Sequence, residues 1–183
     1  MAELFDVVTF IGSLRRESYT RTLVKALPAL APASLQFDIV EIGTLGFYNQ
    51  DEEASPPAEW VALRERIRRA DAVLFATPEY NRSVPAVLKN AIDIGSRPLP
   101  QNAWAGKPGA VISVSPGALG GFGANQHLRQ SLVAVNVQTM TGPEAYIGGI
   151  ANLLDGEGSL TAVTTREFLA RYLVAFETWI RRF

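Results

Sequence analysis

The sequence predicts a doubly wound α/β domain, and three observations carry that reading. Short apolar, β-branched runs alternate with helically spaced apolar residues, glycine or proline marks most of the joins, and the alternation persists to the end of the chain. Leu4 to Ile11 is almost wholly apolar up to Gly12, as in a parallel strand buried on both faces. Leu23, Ala26, Leu27 and Leu30 then follow the spacing of one helical face until Pro28 and Pro32 disrupt it. Leu35, Phe37 and Ile39 alternate with Gln36 and Asp38, which predicts a half-exposed strand at the sheet edge. Trp60, Leu63 and Ile67 mark an amphipathic helix ending in Arg68 and Arg69, cations that suit its negative terminus. Ala72 to Thr77 is a third strand, Val84 to Ile94 a helix through Val87, Leu88, Ala91 and Ile92, and Ala110 to Val114 a fourth strand. Leu128 to Val135 supplies another helix, Val135 to Met140 the last strand, and Phe168, Tyr172, Phe176 and Ile180 the closing helix.

Strands and helices that alternate in this way pair in parallel through right-handed crossovers, so helices cover both faces of the sheet. With five strands in the order 2-1-3-4-5, ligands bind beyond the strand carboxyl ends where the winding reverses, between strands one and three. The informative segments are therefore Gly12 to Thr20 and Pro78 to Ser83.

Composition narrows the chemistry. The 183 residues are 48% hydrophobic, enough for the core of one domain spanning residues 1–183. Seventeen basic and eighteen acidic residues leave a net charge of -1, which lacks the positive field that nucleic acid requires. Cysteine is absent, so thiol chemistry, disulfides and sulfur-ligated metals are excluded, and any redox function must come from a bound cofactor. The one histidine, His127, leaves too few ligands for a His-rich metal centre and is read as a packing or interface residue. Met1 to Asp6 has no leader pattern and no apolar run is long enough to span a bilayer, so the chain is expected in the cytoplasm with no membrane partner.

The loop Gly12-Ser13-Leu14-Arg15-Arg16-Glu17-Ser18-Tyr19-Thr20 joins a buried strand to a helix and is rich in hydroxyls, backbone N–H groups and guanidinium. Such a loop cradles an anion, because free N–H groups and the positive helix end attract phosphate. A simpler reading makes Ser18 only a helix cap. The loop's position after the first strand, without a G-x-G-x-x-G pattern or a Walker lysine, favours a mononucleotide phosphate. In the second loop Pro78 and Pro85 stiffen the backbone, while Tyr80 or Asn81 can border a planar ligand. Gly120, Gly121 and Gly123 permit close backbone approach or a positive φ after the fourth strand. Trp60 and Trp179 fall on apolar helix faces, and Trp104 is open to either a core or a ligand-facing role.

Gly12-Ser13-Leu14-Arg15 with Ser18, Pro78-Glu79-Tyr80-Asn81 with Val84 to Asp93, and Ser115 to Gly121 together resemble the NADPH-dependent FMN reductase family, which includes quinone and chromate reductases and azoreductases. The resemblance covers most of the chain and is weakest over residues 43–57 and 148–165. It implies a flavodoxin-like fold in which Ser13, Arg15 and Ser18, with Tyr19 and Thr20 beside them, hold the FMN phosphate. Family members usually carry asparagine at the position of Thr20, whose hydroxyl can still reach a phosphate. By the same resemblance Pro78, Glu79, Tyr80 and Asn81 contact the isoalloxazine, and Ser115, Gly117 and Gly120 line its other side. The implied activity is two-electron, ping-pong transfer from NADPH or NADH through FMN to a small acceptor such as a quinone, chromate, an azo compound or free flavin. No catalytic side chain is needed, because the flavin carries the chemistry. A homodimer or homotetramer is the implied assembly. A flavodoxin-like electron carrier or a non-catalytic FMN-binding regulator is the alternative; the flavodoxin T-x-T-G-x-T loop and strongly acidic surface are both absent here.

Overall fold

The computed structural model describes residues 3–183; Met1 and Ala2, the start of the segment read as leader-free, lie outside the described residues. Along the chain run β1 (Phe5–Ile11), α1 (Tyr19–Ala26), β2 (Leu35–Val40), α2 (Ala58–Arg69), β3 (Ala72–Thr77), α3 (Ala86–Gly95), β4 (Pro108–Val114), α4 (Phe122–Ala134), β5 (Gln138–Thr139), β6 (Ala145–Ile147) and α5 (Val163–Ile180). The sheet order is β2-β1-β3-β4-β5, every pairing is parallel, and β2 lies at the edge as its alternation predicts.

Strand pleating divides the core in two. Val7, Leu74, Ile112 and Val114 face α1 and α5, where they meet Leu23, Leu27, Tyr172 and Phe176. Val8, Phe10, Val73, Phe75 and Val111 face α2, α3 and α4, where they meet Trp60, Leu88 and Leu128. Buried on both faces, the central strands have no polar side to show, hence their near-continuous apolar sequence. One buried polar group is anchored to the sheet: the Tyr172 hydroxyl donates to the Val111 carbonyl at 2.9 Å, and burial pushes its phenol well above the usual value.

The last strand differs from expectation. Instead of one strand over Val135 to Met140, β5 pairs with Pro108 and Gly109, and β6 pairs separately with Ile112 to Val114. Pro143 between them has no N–H for a ladder. Val137 packs on β4 instead, where a Cβ on Gly109 would come within 2.5 Å of its Cγ1. Two helices also begin earlier than their apolar stripes suggest, α1 at the Ser18 cap and α4 at Phe122, directly after two left-handed glycines.

The tryptophans belong to the packing. Trp60 is fully buried, and the half-buried Trp179 donates its indole N–H to the Gln138 carbonyl at 2.7 Å. Trp104 is also core, its ring 5.2 Å from Phe10 and 5.5 Å from Phe75, with Nε1 donating to the Ile92 carbonyl at 2.9 Å. It lies so close over α3 that a Cβ on Gly95 would be 2.4 Å from Nε1. Gly95→Ala must therefore displace the indole, and overpacking of this kind costs about 2 kcal/mol. Urea unfolding is expected to show a lower midpoint with an unchanged slope.

Candidate active site

The first wall is the β1–α1 loop. Gly12 donates to the Ala76 carbonyl at 2.8 Å, and an added Cβ would press on Pro78 and Leu88, each at 3.2 Å, so glycine lets the β1 and β3 loops lie together. Ser18 is the helix cap, its Oγ accepting from the Arg21 N–H at 3.2 Å. Capping uses a lone pair and leaves the O–H free to donate, so the cap and the phosphate ligand are compatible roles. Ser13 in the loop, Ser18 at the cap and Thr20 in the first turn of α1 are all buried, unusual for three hydroxyls so close along the chain. Arg15 donates Nε to the Glu17 carbonyl at 2.9 Å and lies over the Tyr19 ring at 5.2 Å. Behind them Arg21 grips Glu41 at 2.6 and 2.7 Å, tying α1 to the end of β2 and holding the Glu41 carboxyl below its usual range.

The second wall is a strained turn. Tyr80 and Ser83 exchange both backbone hydrogen bonds at 3.1 and 3.0 Å, with Asn81 at φ 51° and Arg82 at φ 65°. Positive φ at both central residues is the hairpin geometry that favours Asn and Gly, so Arg82 is held there by its surroundings. Helix α4 supplies the hold. The Glu79 carboxylate accepts from the Ala124 N–H at 3.1 Å, and the His127 ring meets the Ser83 hydroxyl at 3.0 Å. A Cβ on Gly123 would come within 2.8 Å of the Arg82 carbonyl, so this glycine serves close approach.

The third wall is the loop after β4. Ser115 takes the Gly117 N–H on its hydroxyl at 3.0 Å and donates its own N–H to Ile147 at 2.9 Å. Gly120, at φ 59°, passes so near β6 that a Cβ would sit 2.6 Å from the Tyr146 carbonyl carbon.

These walls enclose a cavity of about 260 Å³ lined by Ser13, Arg15, Ser18, Tyr19, Thr20, Pro78, Glu79, Tyr80 and Ser115, together with Val114 and Pro116. Asn81, Gly117 and Gly120 stand outside that lining, in the turn and the loop that shape it. Glu79 lines the cavity while directing its carboxylate onto α4. The donors suit a phosphate ester: buried hydroxyls, one guanidinium and a helix amino end. An FMN phosphate fits this donor set. A second, more apolar cavity of about 430 Å³ shares Arg15 and Tyr80 and adds Leu14, Leu45, Phe47 and Val87. Its loop over residues 43–48 is missing from the sequence-derived site. Its one signal is the aromatic pair Phe47 and Tyr48, next to Gly46 in a segment without helical or strand periodicity.

The family model of the NADPH-dependent FMN reductases matches residues 5–152. A quinone reductase of Pseudomonas putida is 57% identical over 182 residues, covering 99% of this chain and 97% of the relative. A 2-hydroxy-1,4-benzoquinone reductase of Burkholderia sp. is 41% identical over 96% of each chain. The solved structure of FerB, a flavoenzyme NAD(P)H:(acceptor) oxidoreductase from Paracoccus denitrificans, superposes with a TM-score of 0.92 at 43% identity, covering 98% of each chain. Sharing that fold and those relatives along nearly its whole length, the chain belongs to the NADPH-dependent FMN reductase family.

Proposed function

We propose that this protein, a single FMN-binding domain, is an FMN-dependent NAD(P)H oxidoreductase that reduces quinones or similarly small acceptors. The net reaction is NAD(P)H plus a proton plus quinone giving NAD(P)⁺ plus hydroquinone. The observation that carries the reading is the convergence of the buried Ser13, Ser18 and Thr20 hydroxyls with Arg15 on one cavity, facing the stiffened Pro78 loop. The redox chemistry, hydride acceptance from the nicotinamide and two-electron delivery to the acceptor, would be supplied by bound FMN.

The protein's own part is placement and charge. Ser13, Ser18 and Thr20 would hold the phosphate, with the α1 amino end and Arg15 offsetting its charge and Tyr19 backing the guanidinium. Pro78 and Tyr80 would border the ring on one side, with Asn81 in the turn behind them and Glu79 fixing that turn through α4. Ser115, Gly117 and Gly120 would shape the other side, in a loop made rigid by their own N–H groups bonding to the Ile147 carbonyl, the Ser115 hydroxyl and the Gly117 carbonyl.

No helix among the described residues is long and apolar enough to cross a membrane. We place the enzyme in the cytoplasm as a homodimer or homotetramer. Leu119 and Phe122, 63% and 51% exposed beside the glycine loop, supply an apolar face for that contact. Native mass spectrometry is expected to give two or four times the 19.9 kDa chain mass, and Leu119→Asp to shift the distribution toward smaller species.

Anaerobic stopped-flow absorbance tests the activity: NADPH or NADH should bleach the FMN-loaded protein, and a quinone should restore the flavin band. Tight FMN binding without bleaching by either nucleotide would instead fit an electron carrier or a regulator. Ser13→Ala should weaken FMN binding by about 10-fold or more, the effect of one lost hydrogen bond to a charged group. Ser18→Ala should do the same and also lower stability by about 1 kcal/mol through loss of the cap. Fluorescence titration of FMN and urea unfolding separate the two effects.

A further inference from the structure

The more apolar cavity has a wall that is held in place from behind. Phe47 is 79% exposed, the most exposed large apolar side chain among the described residues. Its neighbours on both sides are nevertheless fixed to α3 by one buried side chain. The Asn90 amide donates to the Gly46 carbonyl at 2.9 Å, and its Oδ1 accepts from the Tyr48 N–H at 2.8 Å. Tyr48 is anchored further by its hydroxyl on Glu53 at 2.5 Å and its ring 5.7 Å from Trp60. An aromatic side chain left in solvent on so firmly pinned a backbone is positioned for an occupant absent from the chain itself.

We infer that this cavity is the acceptor subsite and that Phe47, which lines it with Leu14 and Val87, sets its preference for planar quinones with a fused aromatic ring. The inference rests on the reductase reading above. Three features favour a neutral planar ring as the occupant. The lining is mostly apolar and, among the described residues, carries no carboxylate. Its one charged group is Arg15, already turned toward Glu17 and Tyr19, so the cavity offers little to a nucleotide's pyrophosphate. It meets the phosphate cavity at Arg15 and Tyr80, so a ring held there borders the cofactor site. Asn90 is a positioning residue that acts through the backbone of residues 46–48.

Steady-state kinetics on the FMN-loaded enzyme test the assignment, with 1,4-benzoquinone and 1,4-naphthoquinone as acceptors. Phe47→Ala should raise KM for naphthoquinone about 10-fold, the order expected for one lost aromatic contact, and KM for the smaller ring less. Phe47→Tyr should restore it. Ala86→Leu, which adds bulk from the opposite wall at an exposed position, should also raise the naphthoquinone KM. A rise in FMN Kd without a change in quinone KM would assign the cavity to the flavin ring and overturn the inference. A change confined to the NAD(P)H KM would assign it to the donor, and a change in native mass alone would make Phe47 a subunit contact; either outcome also overturns it. Failure of both nucleotides to reduce the unmodified holoenzyme would instead sink the reductase reading and this inference with it.

Discussion

Helix α4 opens by giving its free Ala124 N–H to the Glu79 carboxylate, and the shape of the site depends on that contact. An unpartnered N–H at a helix start and a carboxylate in a tight loop each need a counterpart, and here each satisfies the other. The consequence reaches the turn at Asn81 and Arg82, whose left-handed backbone carries strain on the order of 1 kcal/mol or more per residue. With Glu79 fixed at one end and Ser83 bound to His127 at the other, the turn keeps Tyr80 between the two cavities. Gly123 makes this possible, because any side chain there would push the turn away.

Parts of the architecture that depend on composition along a single segment are legible in the sequence. β1, β3 and β4 are clear because a strand buried on both faces has no polar positions. β2 is clear because its edge position leaves every second residue wet. The closing stretch of sheet is not legible, since β5 and β6 are too short to carry a pattern and their pairing is decided by β4. The start of α4 is hidden for a related reason. Its first turn grows out of a glycine loop whose conformation is set by contact with β6 and Ser113.

The candidate site divides in the same way. The hydroxyls of Ser13, Ser18 and Thr20 stand out because polar residues crowded after a buried strand have few structural duties. The loop at residues 43–48 does not, because its order comes from Asn90, a residue far along the chain inside an ordinary helix. Glu79 is visible as part of a motif, yet its partner on α4 is not. Trp104 has no periodic context at all, and only the ring cage of Phe10 and Phe75 identifies it as core.

Helix α5 lies beyond the stretch matched by the family model, yet Leu169, Tyr172, Leu173 and Phe176 share with α1 the cover of one face of the central strands. During synthesis, every strand and all three loops of the cofactor site leave the ribosome before that cover is made. Until α5 emerges the nascent domain has only α1 over that face, and the apolar surface left open is exposed to aggregation and to chaperone capture.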